Sequence, residues 1–440
     1  MTGQPPQGFV WPHIVRLGLV QAAIGAMVMI ATTLLNRLMV VEYGLAAAIP
    51  AGLVAWHYAV QLSRPMWGQG SDKGRQRTPW ILFGMALLAL GTLTGVNATI
   101  LPARDSTFGI GLAVIGFTMI GAGVGAAGTS LLALMASGVA PARRAAAAAT
   151  TWIMMVAGIV AAAGISGTLL DPYSPQRLAL VASGVVATAL AVTMLALWRL
   201  ERQALPMVRP VERQDVPDMR AALREITGEP SARRFTWFIF VSMLAYSMQD
   251  LILEPFAGLV FGMTPGQSTQ LSGMQHGGVL LGMILSGVAG SAFAGRLPGE
   301  LRSWITIGCL GSALALAGLA FGARYGPGWP LVPNVFLLGF FNGMFAVAAI
   351  GAMMGLAGAG ERTREGVRMG VWGAAQAIAF GLGGLAGAMG VDLARTTLGR
   401  DAAAFQLIFS LEGALFVGAA WLAFRISDRS TRPTIRMAAL

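Results

Sequence analysis

The chain has 440 residues, 55% of them hydrophobic and only 11% charged, with a mean hydropathy of +0.68, 59 glycines and a net charge of +11. A soluble domain carries about 25% charged residues, so this composition excludes a soluble globular protein and predicts an all-α, multi-pass membrane protein. The basic residues sit in short segments between apolar runs and read as topology signals, which excludes a nucleic-acid partner and leaves membrane lipid as the surroundings.

Apolar runs long enough to cross ~30 Å of hydrocarbon fall near residues 15–35, 45–66, 80–101, 108–137, 147–170, 177–198, 235–260, 268–293, 303–322, 331–355, 368–391 and 402–424. They predict twelve transmembrane helices, spans 1 to 12. The N-terminus lacks the ordered features of a signal peptide, so the first run is expected to be an uncleaved span. Placing that end in the cytoplasm puts 24 of the 30 Lys and Arg residues inside and leaves Arg37, Arg104, Arg177, Arg324, Arg395 and Arg400 outside. That asymmetry predicts cytoplasmic termini. The longest loop divides the chain into a six-helix half at 1–200, a linker at 201–234, a second six-helix half at 235–424 and a tail at 425–440. Within the linker, VPDMRAALREI reads either as an amphipathic helix on the membrane face or as a solvated linker.

Taken in order, Asn36 and Arg37 close span 1, and His57 follows in span 2. Between spans 2 and 3, RPMWGQGSDKGRQRTPW carries Gly68, Asp72, Lys73, Gly74, Arg75 and Arg77. These residues resemble the cytoplasmic loop motif of the major facilitator superfamily, where glycines permit a tight turn and an Asp pairs with basic residues. Gly290 to Arg296 is a weak echo in the second half. The run GAGVGAAG at 121–128 and GLGGLAGAMG at 381–390 predict close helix packing, with a flat surface for a planar ligand as the alternative.

Polar groups concentrate in span 7 and the start of span 8, in QDLILEPFAGLVFGMTPGQSTQLSGMQHGG. Asp250 and Glu254 share a helical face, and a carboxylate in hydrocarbon marks a functional site by default. Pro255 removes an N–H, so the helix is expected to kink or stop at Glu254, with a turn through MTPGQSTQ. Local capping or pairing, with Arg37 as partner, is the alternative for these acids. Gln249 and Gln275 flank the carboxylates and His276. Glu412 lies about 15 Å deep in span 12. Asn342 and Gln376 read as interhelical hydrogen-bonding groups. Asn36 and His57 stand 21 residues apart, Glu254 and His276 22 apart, a faint sign of an internal repeat. The single Cys309 excludes an internal disulfide, and no Walker A sequence, Cys pair or HExxH occurs.

LNRLMVVE (35–42), HYAVQLSRPMWGQGSDKGRQRTPWI (57–81) and above all MQDLILEPFAGLVFGMTPGQSTQLSGMQHGG (248–278) together resemble the PucC/LhaA family of the major facilitator superfamily. The resemblance runs along nearly the whole chain. It implies a non-enzymatic assembly factor in the inner membrane of a photosynthetic bacterium. Such a factor supplies bacteriochlorophyll to light-harvesting antenna polypeptides, with chlorophyll synthase as a further partner. The central Mg of that pigment has an open axial position that imidazole fills. His57 and His276 are therefore the candidate ligands, each alternatively a hydrogen-bonding group. Asn36, Arg37, Gln249, Asp250, Glu254 and Gln275 are candidate contacts to pigment or client helix, and Glu412 is a further intramembrane acid. Two other readings stay open: a secondary transporter with Asp250, Glu254 or Glu412 as coupling acid, and a pigment-free scaffold for antenna helices.

Overall fold

Hydrocarbon offers no hydrogen-bonding partner, so each crossing segment must satisfy its backbone internally, and an apolar run of this length becomes a helix. The computed structural model describes residues 9–73, 76–100, 106–139, 144–203, 230–292, 300–358 and 365–425. Among these, ten helices are long and apolar enough to cross a membrane. They are span 1 (Trp11–Glu42), span 3 (Thr78–Ile100), span 4 (Ser106–Gly138), span 5 (Arg144–Leu170) and span 6 (Pro175–Leu197) in the first half. The second half supplies span 7 (Pro230–Phe261), span 9 (Glu300–Tyr325), span 10 (Leu331–Gly358), span 11 (Glu365–Leu398) and span 12 (Asp401–Phe424).

The other two expected positions are helical but more polar. Span 2 is Ala48–Val60, a 3₁₀ turn at Gln61–Ser63 and then Arg64–Lys73. Span 8 is Pro265–Ala292, whose first turns are QSTQLSGMQH. Of the twelve expected crossings, ten are thus single apolar helices of sufficient length among the described residues: span 2 is interrupted after 13 residues by its 3₁₀ turn, and span 8 opens on polar turns.

Three expectations are corrected by the backbone. Span 1 does not end before Asn36: it runs to Glu42 through two π-helical turns, Ile30–Leu34 and Leu38–Glu42, which brings Asn36 and Arg37 into the bundle, 2% and 1% exposed. Span 7 does not stop at Glu254 but continues past Pro255 to Phe261. The turn that follows is confined to Gly262–Thr264, with Gly262 at φ +66°, a conformation that glycine adopts without strain. The motif after span 2 also differs from a tight turn, since Gly68 lies within the helix Arg64–Lys73. Side chains of Asp72 and Lys73, all of Gly74 and Arg75, the linker segment VPDMRAALREI and most of the Gly290 to Arg296 echo lie outside the described residues.

Each half has its own apolar core. In the second, Phe256 packs on Phe405 and Phe409 with ring centroids 5.2 and 5.0 Å apart. The first centres on Leu17, Met85 and Phe117, and Leu251 and Ala388 of the second half join it. Helices approach through glycine. A Cβ on Gly339 of span 10 would collide with the Gln275 carbonyl of span 8, and one on Gly282 with that of Phe340. The two glycine-rich runs pack in the same way: Gly123 lies on the Gly84 backbone of span 3, and Gly383 lies on Leu244 and Ser247 of span 7.

Candidate functional site

The start of span 1 and the end of span 12 mark the terminal face of the bundle, and the opposite one is the distal face. Span 7 runs towards the distal face and carries the polar stretch, its helix continuous despite Pro255. A proline at 255 leaves the carbonyl of Leu251 without its helical donor. Asn36 of span 1 supplies one: its Nδ2 donates to that carbonyl at 2.7 Å. The next residue, Arg37, donates to the Met263 carbonyl at 2.8 Å and pairs with Glu42 at 2.5 Å. Arg37 therefore directs its charge to Glu42, and Glu254, 1% exposed, keeps both carboxyl oxygens unbonded. Among the described residues no side chain hydrogen-bonds the Glu254 carboxyl group, and Arg37 acts on it through space.

Two aspartates that the sequence reading passed over complete the distal closure. Asp171, after span 5, accepts from Thr264 Oγ1 at 2.7 Å and from the Gly266 N–H at 3.3 Å, at the start of span 8. Asp392 of span 11 accepts from the N–H groups of Ala47 and Ala48 at 3.0 and 2.8 Å, at the start of span 2. Each carboxylate thus caps a helix N-terminus that belongs to the opposite half, where unpaired N–H groups and the positive end of the helix dipole favour an anion. In sequence they are single aspartates near span ends, with no local cap pattern to reveal them.

Deeper in the bundle the candidate groups behave differently from one another. His57 is 2% exposed; the Gln61 amide meets its Nε2 at 2.9 Å, and Arg64 in turn donates to Gln61 Oε1. His276 is half-buried. Its Nδ1 lies 2.9 Å from the Ser272 carbonyl, which fixes the ring with Nδ1–H as donor and leaves the Nε2 lone pair unoccupied. Gln249, fully buried, has no partner at either amide atom. Asp250 is half-buried with Oδ1 unbonded, and lies within electrostatic reach of Tyr58, Tyr246 and Glu412. Glu412 is fully buried with both oxygens unbonded. Gln275 is buried on the span 10 contact, and Asn342 accepts from Ser312 at 2.7 Å.

An aromatic chain that sequence reasoning missed runs between these groups. His57 and Tyr58 have ring centroids 4.6 Å apart, Tyr58 and Phe380 5.9 Å, Phe380 and Tyr246 5.7 Å, and Tyr246 and Phe345 6.3 Å. It crosses from span 2 to spans 11, 7 and 10. Its signal was available, since only 5 tyrosines occur in the chain and two stand one residue or one turn from a singled-out His or Asp. At the terminal face, Arg77 donates to the Ala133 carbonyl, and Glu201 accepts from the Arg77 and Thr78 N–H groups at 2.8 and 2.9 Å. Of the loop motif, Arg77 is thus a structural tie to span 4 and to Glu201 beyond span 6. Among the described residues no group of three or more His, Cys, Asp or Glu residues is placed to hold a metal ion.

Residues 34–431 match the family model described as PUCC protein. The "Bacteriochlorophyll synthase 44.5 kDa chain" of Rhodobacter capsulatus is 52% identical over 94% of this chain and 95% of its own length. The "Protein PucC" of Cereibacter sphaeroides is 30% identical over 84% of this chain and 81% of its own. Among solved structures, a bacterial homologue of the human lysosomal transporter Spinster, in an inward-facing and unoccupied conformation, aligns with a TM-score of 0.69 at 15% identity, covering 98% of both chains. A D-xylose-proton symporter aligns equally well, at 13% identity over 96% of this chain and 99% of its own. These likenesses establish the major facilitator fold. The first relative overturns one expectation: its name is that of a chain of an enzyme, so the reading of the protein as no enzyme does not stand. That reading rested on absent motifs and scarce titratable groups, neither of which reports on whether a chain belongs to an enzyme.

Proposed function

The chain belongs to the PUCC protein family, and on that premise we propose that it binds bacteriochlorophyll within its helical bundle and delivers it to antenna polypeptides. It works beside the machinery that completes the pigment, in the inner membrane of a photosynthetic bacterium, with both termini cytoplasmic. The observation that carries this reading is the state of His276. A ring nitrogen that binds a metal must present a lone pair, and the other nitrogen is usually held by a carbonyl or carboxylate. The Ser272 carbonyl does this for Nδ1, so Nε2 is the coordinating atom for the pigment Mg. Gly277 beside it faces open space, where a Cβ would meet nothing within 4 Å.

Other features support the same reading. The rings of Tyr58, Phe380 and Tyr246 offer π faces to a flat macrocycle. Gln249 offers a donor for its carbonyl groups, and Asp250 would offer another when protonated. His57 is the second candidate ligand, and Gln61 must swing away before its Nε2 is available. The test is purification in mild detergent from a pigmented host, with near-infrared absorption co-eluting with the chain and falling in His276→Ala at equal protein yield. A colourless preparation that still restores antenna assembly would return the pigment-free scaffold, and solute uptake into vesicles the transporter.

A further inference from the structure

Spans 5 and 6 are the least buried of the crossing helices, with a third of their most apolar windows inside the protein. Between them and span 1 lies an apolar groove of about 760 Å³. Its floor is made of small residues, among them Ala22, Ala26, Ala162 and Gly184, and Leu180 stands at its edge, 73% exposed. Along span 6 the groove runs from Arg177 to Val192, about 22 Å at 1.5 Å per residue. That length exceeds one leaflet of hydrocarbon, about 15 Å.

The distal end of the groove holds a cation. Arg177 is half-buried in the first turn of span 6, and its guanidinium donates to the backbone carbonyl of Asp171. The Asp171 carboxylate is turned away to Thr264 and Gly266. Among the described residues no carboxylate pairs with Arg177. The N-terminus of span 6, capped by Ser174 at 3.1 Å, adds positive potential at the same place. A positive mouth at headgroup depth above a long apolar groove selects an amphiphile with an anionic head and hydrocarbon chains. A partner helix, about 10 Å across, suits the small-residue floor but would answer Arg177 only by carrying a carboxylate at that depth, which is costly, whereas a phospholipid brings its phosphate there by construction.

We propose that this groove is a binding site for an anionic phospholipid of the distal leaflet, with its phosphate on Arg177 and an acyl chain laid along spans 1, 5 and 6. The site is separate from the pigment reading and does not rest on it. Native mass spectrometry of the full chain, exchanged into phosphatidylglycerol or phosphatidylcholine, tests it. The wild type should retain phosphatidylglycerol about tenfold better than phosphatidylcholine, and Arg177→Gln should bring that ratio close to one. Gly184→Leu fills the groove at a position where a Cβ meets nothing within 4 Å, so it should lose both lipids without a change in thermal stability. Equal retention of the two lipids by the wild type, or unchanged retention in Gly184→Leu, would overturn the site. So would a polypeptide, rather than lipid, cross-linking to residue 184 in native membranes.

Discussion

Asn36 donates its side-chain amide to the carbonyl of Leu251, the one backbone acceptor that Pro255 strips of its partner four residues on. A defect in a helix of the second half is thus repaired by a side chain of the first. The repair also explains why an intramembrane proline leaves span 7 unbroken, since a freed carbonyl in hydrocarbon is tolerated only when a neighbouring helix satisfies it.

This pairing predicts a coupling. Asn36→Leu should destabilise the protein by about 1–3 kcal/mol, the desolvation cost of a buried unmade hydrogen bond. Pro255→Ala should restore part of that loss, because an alanine at this position supplies the missing N–H to the Leu251 carbonyl. A double-mutant cycle on thermal unfolding in detergent checks it, and additive effects would mean that the two residues are not linked.

Removing the two crossed caps should loosen the distal face. Asp171→Ala and Asp392→Ala are each expected to cost about 1 kcal/mol, as for other helix caps. Their combination should speed hydrogen exchange at residues 47–51 and 266–270 by about tenfold while the half-cores stay protected. Exchange that rises uniformly along the chain would instead report general unfolding.

Close packing of spans 8 and 10 should tolerate no side chain. Gly339→Ala places a methyl group against the Gln275 carbonyl, and overpacking of this kind costs about 1–3 kcal/mol. Gly287→Ala in span 8, where a Cβ meets nothing within 4 Å, serves as the control and should not lower the melting temperature.

The two histidines should separate in their response to pigment. His276→Ala is expected to lower bound pigment well below the wild-type ratio at equal protein abundance. Gln61→Ala uncovers His57 Nε2 and should raise occupancy at that second position. Equal pigment content in all three proteins, read from near-infrared absorbance per chain, would retire both ligand assignments. If Asp250 works as a hydrogen-bond donor, Asp250→Asn should retain assembly, because the amide also donates; loss of assembly with normal folding would point to a charged role.

The sequence by itself determined the membrane class, the rough positions of the helices and which polar residues lie at depth, because hydropathy and the rarity of charge in hydrocarbon are local properties. It also marked Asn36, Asp250 and Glu254 as unusual, while ending span 1 too early and allowing span 7 to stop at Pro255. Only the tertiary structure decided what those residues do. Asn36 repairs span 7, Arg37 takes Glu42 rather than Glu254, Asp171 and Asp392 cap helices of the opposite half, and Tyr58, Phe380 and Tyr246 come into one aromatic chain. Each of these contacts joins residues far apart in the chain, or turns on a partner that arrives from another helix, and neither composition nor spacing along the chain carries that information.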